Sequence, residues 1–309
     1  MRIIEGVDKN KEIIVTHSDF ASFKKMNGLE KGQIVVLQWF NNGDQDIYYI
    51  IDKYRTNYLL YLFMVLVLVV VLIGRKQGFM ALVGLMISIF IIIKGIIPLI
   101  INGSNPLLVS AGGAYIIAVF SIYTAHGFKK RTSIALLSTL VTLTISFGVA
   151  VTFVYIAKLY GLGSEEAFYL QLGPLQKVNL RGLLLGGIMI GALGVLDDVT
   201  TAQAAAVDEL SKANQNLTKK ELYQKGMSIG KEHIASMINT LALAYIGAAF
   251  PLFLLFTLNN DTPVWITLNS EFISEEIVRT IVGSIALVLA VPISTSLSVY
   301  FLGGKVSKS

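Results

Sequence analysis

The pattern of apolar and polar positions divides the chain sharply. Residues 1–56 alternate short β-prone runs with charged and turn residues. From residue 57 onward, long apolar stretches take over: 58–74, 79–102, 107–125, 134–160, 182–199, 233–258 and 279–302. Each is long enough to cross a hydrocarbon core of roughly 30 Å as a helix. Polar connectors separate them, so the pattern predicts an all-α integral membrane protein with about seven transmembrane helices. In the first part, Gln33–Gln38 and Ile47–Ile51 predict two strands, and Asn41-Asn-Gly-Asp44 between them predicts a turn. The expected organisation is a small β module over 1–56, a seven-helix domain over 57–303 and a short tail over 304–309.

Composition supports the membrane reading. The chain is 54% hydrophobic and only 15% charged, whereas soluble domains run nearer 25% charged. The net charge of +5 does not point to nucleic acid, because the basic residues sit at the ends of apolar runs rather than on one soluble face. There is no cysteine, and His17, His126 and His233 are far apart. No thiolate or histidine-rich metal centre is therefore expected, no metal is assigned, and no cofactor is implied.

Basic residues orient the spans. Arg75, Lys76, Lys129, Lys130, Arg131, Lys212, Lys219, Lys220, Lys225, Lys231, Lys305 and Lys308 fall on one side. Lys158, Lys177, Arg181 and Arg279 fall on the other, diluted there by Glu165, Glu166, Asp261, Glu271, Glu275 and Glu276. The positive-inside rule places the first set in the cytoplasm. The expectation is a multi-pass cell-membrane protein with its N-terminal β module extracytoplasmic and its C-terminus cytoplasmic. No export helix precedes that module, so a truncated start is expected.

Two segments could carry chemistry. The first runs from Gly186 to Leu210. Gly187 and Gly191 form a small-xxx-small pair suited to close helix approach. Asp197 and Asp198 follow directly, and on a continuous helix Asp198, Ala202, Ala205 and Glu209 share a face while Asp197, Thr201 and Asp208 share the next. A carboxylate at membrane depth is paired or functional, unless it sits at the interface and caps a helix. The second runs from Ile229 to Pro251, where Glu232, Ser236 and Asn239 share a face overlapped by His233 and Thr240. Buried amides of this kind also serve simply as interhelical glue. A weaker signal, Pro292-Ile-Ser-Thr-Ser-Leu-Ser298, reads as a kink whose hydroxyls repair the backbone.

Enzyme templates do not fit. Gly226-Met-Ser-Ile-Gly230-Lys231 has the wrong spacing for a phosphate loop. It matches Gly-x-Ser-x-Gly literally, but no strand precedes Ser228. An intramembrane enzyme ranks third among the functional readings.

At the long polar stretches the chain resembles the YibE/YibF-like family of bacterial multi-pass membrane proteins. The resemblance rests on Gly191-Ala-Leu-Gly-Val-Leu-Asp-Asp-Val-Thr, on Gln203 through Glu209-Leu210, on Ile229-Gly-Lys-Glu-His-Ile-Ala-Ser, on Asn239-Thr-Leu and on Ala244-Tyr-Ile-Gly. His126-Gly127 and Pro292 also match. It covers about residues 30 to 303 and implies a seven-helix membrane protein without implying an activity. The leading functional expectation is a transporter or permease for an ion or small solute. Its site would be Asp198, Glu209 and Asn239, with Asp197 and His233 near the inner mouth and Thr201, Gln203 and Ser236 beside them. The alternative is a non-transporting assembly or regulatory protein that acts through a membrane-protein partner or a second copy of itself.

Overall fold

The computed structural model describes residues 1–6, 8–13, 30–41, 46–173, 176–248, 250–251, 254 and 263–303. The chain is mostly helical and divides into two compact units, Met1–Ile73 and Gly74–Ser309.

In the first unit, β1 (Val35–Asn41) pairs antiparallel with β2 (Asp46–Lys53), with one irregularity between Val36 and Leu37. Both strands lie where the β-prone runs predict them. Residues 42–44 of the expected turn lie outside the described residues. The hairpin is held partly from outside itself: Tyr48 donates to Asp8 at 2.7 Å, and Lys11 pairs with Asp46 at 3.4 Å. The Trp39 indole N–H also donates to Asp46, at 3.0 Å. Ile3 and Ile13 are buried. A two-stranded hairpin is marginal alone, and these ties to the N-terminal segment supply what the pair lacks.

Helix α1 (Thr56–Ile91) starts in the first unit and is broken at Arg75, whose φ of 47° and ψ of −134° are not helical. A π-helical turn (Ile92–Ile96) and α2 (Ile97–Ile101) extend it. The stretch Thr56–Ile101 has 46 residues, more than twice the roughly 20 that one crossing of a hydrocarbon core needs. Lys94 lies in the π-turn and is exposed.

The second unit continues with α3 (Pro106–His126), α4 (Lys130–Ile156), α5 (Glu165–Leu172), α6 (Leu180–Ala213), α7 (Lys219–Ala248), α8 (Val264–Leu268) and α9 (Glu271–Leu302). Helices α4, α6 and α9 pack on one another as a trio; α3 lies on α6, and α7 lies on α9 and α6. Small residues allow the close approach. Ala118, Ala286 and Ala290 are completely buried. A Cβ on Gly186 would stand 2.4 Å from Ser110 Oγ of α3, and one on Gly182 would stand 3.2 Å from the Leu107 nitrogen. The close-packing pair is therefore Gly182 and Gly186. The expected pair is not used in that way: among the described residues, a Cβ on Gly187 would meet nothing within 4 Å and one on Gly191 only the Tyr245 hydroxyl at 3.6 Å.

Among the described residues, five helical stretches are long and apolar enough to cross a membrane: Thr56–Ile101, Pro106–His126, Lys130–Ile156, Leu180–Ala213 and Glu271–Leu302. The sequence pattern predicts seven. The first two predicted runs lie in one helical stretch, interrupted only at Arg75. The sixth belongs to α7, which is too polar over its described length to qualify, and part of that run, including 255–258, lies outside the described residues. The polar connector expected over 200–230 is mostly helix: α6 runs through it to Ala213, and α7 resumes at Lys219.

Candidate functional site: buried polar groups on α6

The mean hydropathy of +0.67 leaves few polar groups to bury, and the described bundle gathers most of them on α4, α6 and α9. Gln203 is 2% exposed. Its amide nitrogen donates to the Gly226 carbonyl of α7 at 2.8 Å and to Thr295 Oγ1 of α9 at 2.7 Å, so one amide ties three helices together. One turn away, Thr200 Oγ1 lies 2.6 Å from Thr139 Oγ1 of α4, and Ser294 of α9 donates to the Thr200 carbonyl at 3.1 Å. Ser138, Thr139, Thr142, Ser294, Thr295 and Ser298 are all completely buried. Hydroxyls suit this seam because each can return its proton to the carbonyl four residues back, as Ser138, Thr139, Thr142 and Thr295 do. The hydroxyls after Pro292 therefore do more than mend their own helix. Ser294 and Thr295 reach α6.

Asp197 is the carboxylate that faces inward. Ser121 of α3 donates to Oδ2 at 2.9 Å, while Oδ1 is fully enclosed and meets no donor among the described residues. Thr201 donates to the Asp197 carbonyl at 2.8 Å. Asp198, next in sequence and about 100° around the helix, is exposed.

The expected constellation of Asp198, Glu209 and Asn239 is not gathered within one chain. Asp198 and Glu209 are eleven positions apart on one helix, about 16 Å along its axis. Glu209 is exposed and instead lies 3.5 Å from Arg131 and 3.5 Å from Lys212, with Asp208 accepting from Lys212 at 2.6 Å. On α7, the glycines Gly226 and Gly230 face Gln203, Thr295 and Val291. Asn239 lies nine positions beyond Gly230, about 180° around the helix, and is exposed. So are Glu232, His233 and Ser236. Ser228 sits mid-helix and exposed, without the strand that a nucleophile elbow needs.

Three features went unread in the sequence. The first is Ser121, whose only signal is one hydroxyl among several on a mostly apolar helix. The second is a clasp at the end of the bundle where α4 finishes and α9 starts. There Glu271 accepts from the Tyr160 and Leu162 backbone N–H groups at 2.5 and 3.2 Å, and buried Glu275 accepts from Gly163 N–H at 3.0 Å. Gly161, at φ +85°, gives the loop this shape. Arg181 donates to the Leu159 carbonyl at 2.7 Å and lies over the rings of Tyr155 and Tyr160. The third is an open cavity of ≈ 810 Å³, lined in part by Asn102, Ser104, Asn105, Gln176, Lys177 and Asn179. The Asn105 and Asn179 side chains cap α3 and α6 at its wall.

No group of three or more histidine or acidic residues placed to hold a metal occurs among the described residues. No curated protein and no solved structure matches the chain. The model of the YibE/F-like protein family matches residues 62–304. That span takes in every apolar helix of the second unit, the buried seam and the Asp pair, and the chain belongs to the YibE/F-like family.

Proposed function

We propose that this membrane protein is a transporter or permease for an ion or small solute, and that it works through carboxylates inside its helical bundle. The observation that carries this reading is Asp197: a carboxylate held by one hydroxyl across a helix interface, with its other oxygen enclosed and without a donor among the described residues. Such groups are expensive at membrane depth and mark ion pathways. Asp198 stands beside it on the exposed face, with Thr201 and Gln203 farther along the same helix, and the ≈ 810 Å³ cavity at the far end offers a small solute room to enter. The chain crosses the membrane seven times in this reading. Thr56–Ile101 contributes two crossings around the break at Arg75, and α7 with the residues after it contributes the sixth. The β hairpin lies outside the cell membrane and the C-terminus in the cytoplasm.

The test is solute uptake into proteoliposomes. Asp197→Asn and Asp198→Asn are expected to cut the uptake of a responsive solute at least about tenfold. Unchanged uptake of every responsive solute in both variants would reject the role.

A second reading has its own observation. Glu232, His233, Ser236 and Asn239 form an exposed polar face on α7. A helix at membrane depth does not leave an amide in lipid, so a partner membrane protein or a second copy would cover it. Here the protein assembles or regulates rather than transports. Stable co-purification of a partner that is lost in Asn239→Leu, without any flux, would favour this reading.

A further inference from the structure

We infer that Arg181, flanked by Tyr155 and Tyr160, holds the phosphate of an anionic phospholipid at the end of the bundle where α4 finishes and α6 starts. The inference goes beyond the transport reading and does not need it, because it concerns the bilayer around the bundle and not a solute inside it.

The chain fixes the guanidinium and leaves one edge of it open. Arg181 is the second residue of α6 and half-buried. Its central carbon lies 4.7 Å from the ring centroid of Tyr155, in the last turn of α4, and 4.7 Å from that of Tyr160, in the loop that follows. Nε donates to the carbonyl of buried Leu159 at 2.7 Å. Two rings and a carbonyl therefore set the plane of the group, a use for which arginine is suited and lysine is not. Nη1 and Nη2 meet no acceptor among the described residues, and no carboxylate among them pairs with Arg181. Arg131 and Arg279 differ in this: Arg131 lies 3.5 Å from Glu209, and Arg279 pairs with Glu276. Glu271, in the clasp beside Tyr160, does not supply the missing charge. Its Oε1 accepts from the backbone N–H groups of Tyr160 and Leu162.

The surroundings select a lipid as the occupant. The last turn of α4 exposes Phe153, Tyr155 and Ile156, so hydrocarbon lies against the same end of the helix that carries the rings. Tyrosines gather at headgroup depth in membrane proteins, and Tyr155 and Tyr160, both more than half exposed, hold the guanidinium at that depth. A cation without a partner at the edge of hydrocarbon is costly, and the anion available there is the lipid phosphate. The open Nη edge offers it two parallel N–H donors, the fork that suits phosphate oxygens. Lys158, one residue before Leu159, is exposed and adds positive charge to the same loop. A choline headgroup would bring its own cation beside these two, whereas a glycerol headgroup brings none, so an anionic lipid is preferred.

The experiment uses the full chain in detergent micelles and counts bound phospholipid by native mass spectrometry, with phosphatidylglycerol or phosphatidylcholine added at equal concentration. The wild type is expected to retain phosphatidylglycerol roughly tenfold better. Arg181→Gln is expected to abolish that preference. Arg181→Lys, which keeps the charge without the fork, should lower it about threefold, and Tyr155→Leu combined with Tyr160→Leu should lower it as well. Equal retention of the two lipids by the wild type, or an undiminished preference in Arg181→Gln, overturns the site. If Arg181→Gln does not fold, an undiminished preference in both Arg181→Lys and the paired tyrosine variant overturns it instead. Glycerol phosphate alone should not be retained. Its retention by the wild type but not by the arginine variants, with neither lipid held, would give the site to a soluble phosphate and overturn the lipid assignment.

Discussion

Helices α6 and α7 carry comparable loads of polar side chains on helices of similar length, 34 and 30 residues, and they dispose of them in opposite ways. On α6, Asp197, Thr200 and Gln203 point inward, and each finds a hydroxyl or carbonyl on α3, α4, α7 or α9. On α7, Leu222, Gly226 and Gly230 are buried on the packed face, and His233, Ser236 and Asn239 are exposed. The difference is one of neighbours rather than composition. A central helix must satisfy its polar groups within the chain, because a lost partner at its core costs the full desolvation of the group left behind. A peripheral helix can hold its polar groups for something outside the chain.

Substitutions should break this contrast in a definite order. The largest effect is expected from Gly230→Leu, because even a Cβ there would lie 2.3 Å from Val291 Cγ1 and 3.1 Å from the Gln203 amide. Overpacking should cost about 3 kcal/mol, read as lost resistance to denaturant in detergent, and an undisturbed unfolding midpoint would mean that α7 does not pack on α9 in this way. Next is Gln203→Leu, which removes the donor that Thr295 Oγ1 and the Gly226 carbonyl share. It should cost about 2 kcal/mol in the same measurement, while Gln203→Glu should cost no less. Thr200→Val should cost about 0.6 kcal/mol, the usual size of one interhelical hydrogen bond in a membrane protein. Asn239→Leu should leave stability within about 0.5 kcal/mol, as at exposed sites generally. A large loss there would show that α7 is covered within the chain after all.

The smallest effect concerns how α7 begins. Glu221 accepts from the Thr218 backbone N–H at 2.9 Å and from its hydroxyl at 2.8 Å, while Thr218 Oγ1 accepts from Glu221 N–H at 3.2 Å, a reciprocal cap. The Thr218 backbone N–H, more than its hydroxyl, holds the Glu221 carboxyl below the usual carboxylate range. A lowered value in the folded state means that the cap contributes fully above the ordinary glutamate value of about 4.3 and is lost as pH falls through the lowered one. Hydrogen-exchange protection over residues 219–222, taken relative to the intrinsic rate at each pH, should therefore fall in acid for the wild type but not in Glu221→Gln.

The helices were legible because apolar runs of this length have no other stable arrangement in lipid. The hairpin was legible because two alternating runs flank a turn. The seam was not. Gly182, Gly186, Gly187, Gly191 and Gly194 offer several four-residue registers, and only the position of α3 selects Gly182 and Gly186. The Asp pair marked the right place on α6, yet adjacent residues point about 100° apart, and with apolar neighbours on every side nothing in the sequence shows which one faces in. The expected link from Asn239 to α6 failed for a related reason. The glycines that dock α7 lie nearly opposite that amide, on the face where Ile234 and Met237 also pack against the core.

The core trio has a consequence for how the protein is made. Its third member, α9, is translated more than fifty residues after α6 ends. Until it inserts, Thr200 and Gln203 have no Ser294 or Thr295 to meet, and α4 and α6 sit in the bilayer as an unfinished pair. A stalled or shortened product lacking α9 would thus present hydroxyl and amide groups to lipid, a feature that membrane chaperones and proteases can recognise. Quality control of this protein should act on whether biosynthesis reaches its final helix.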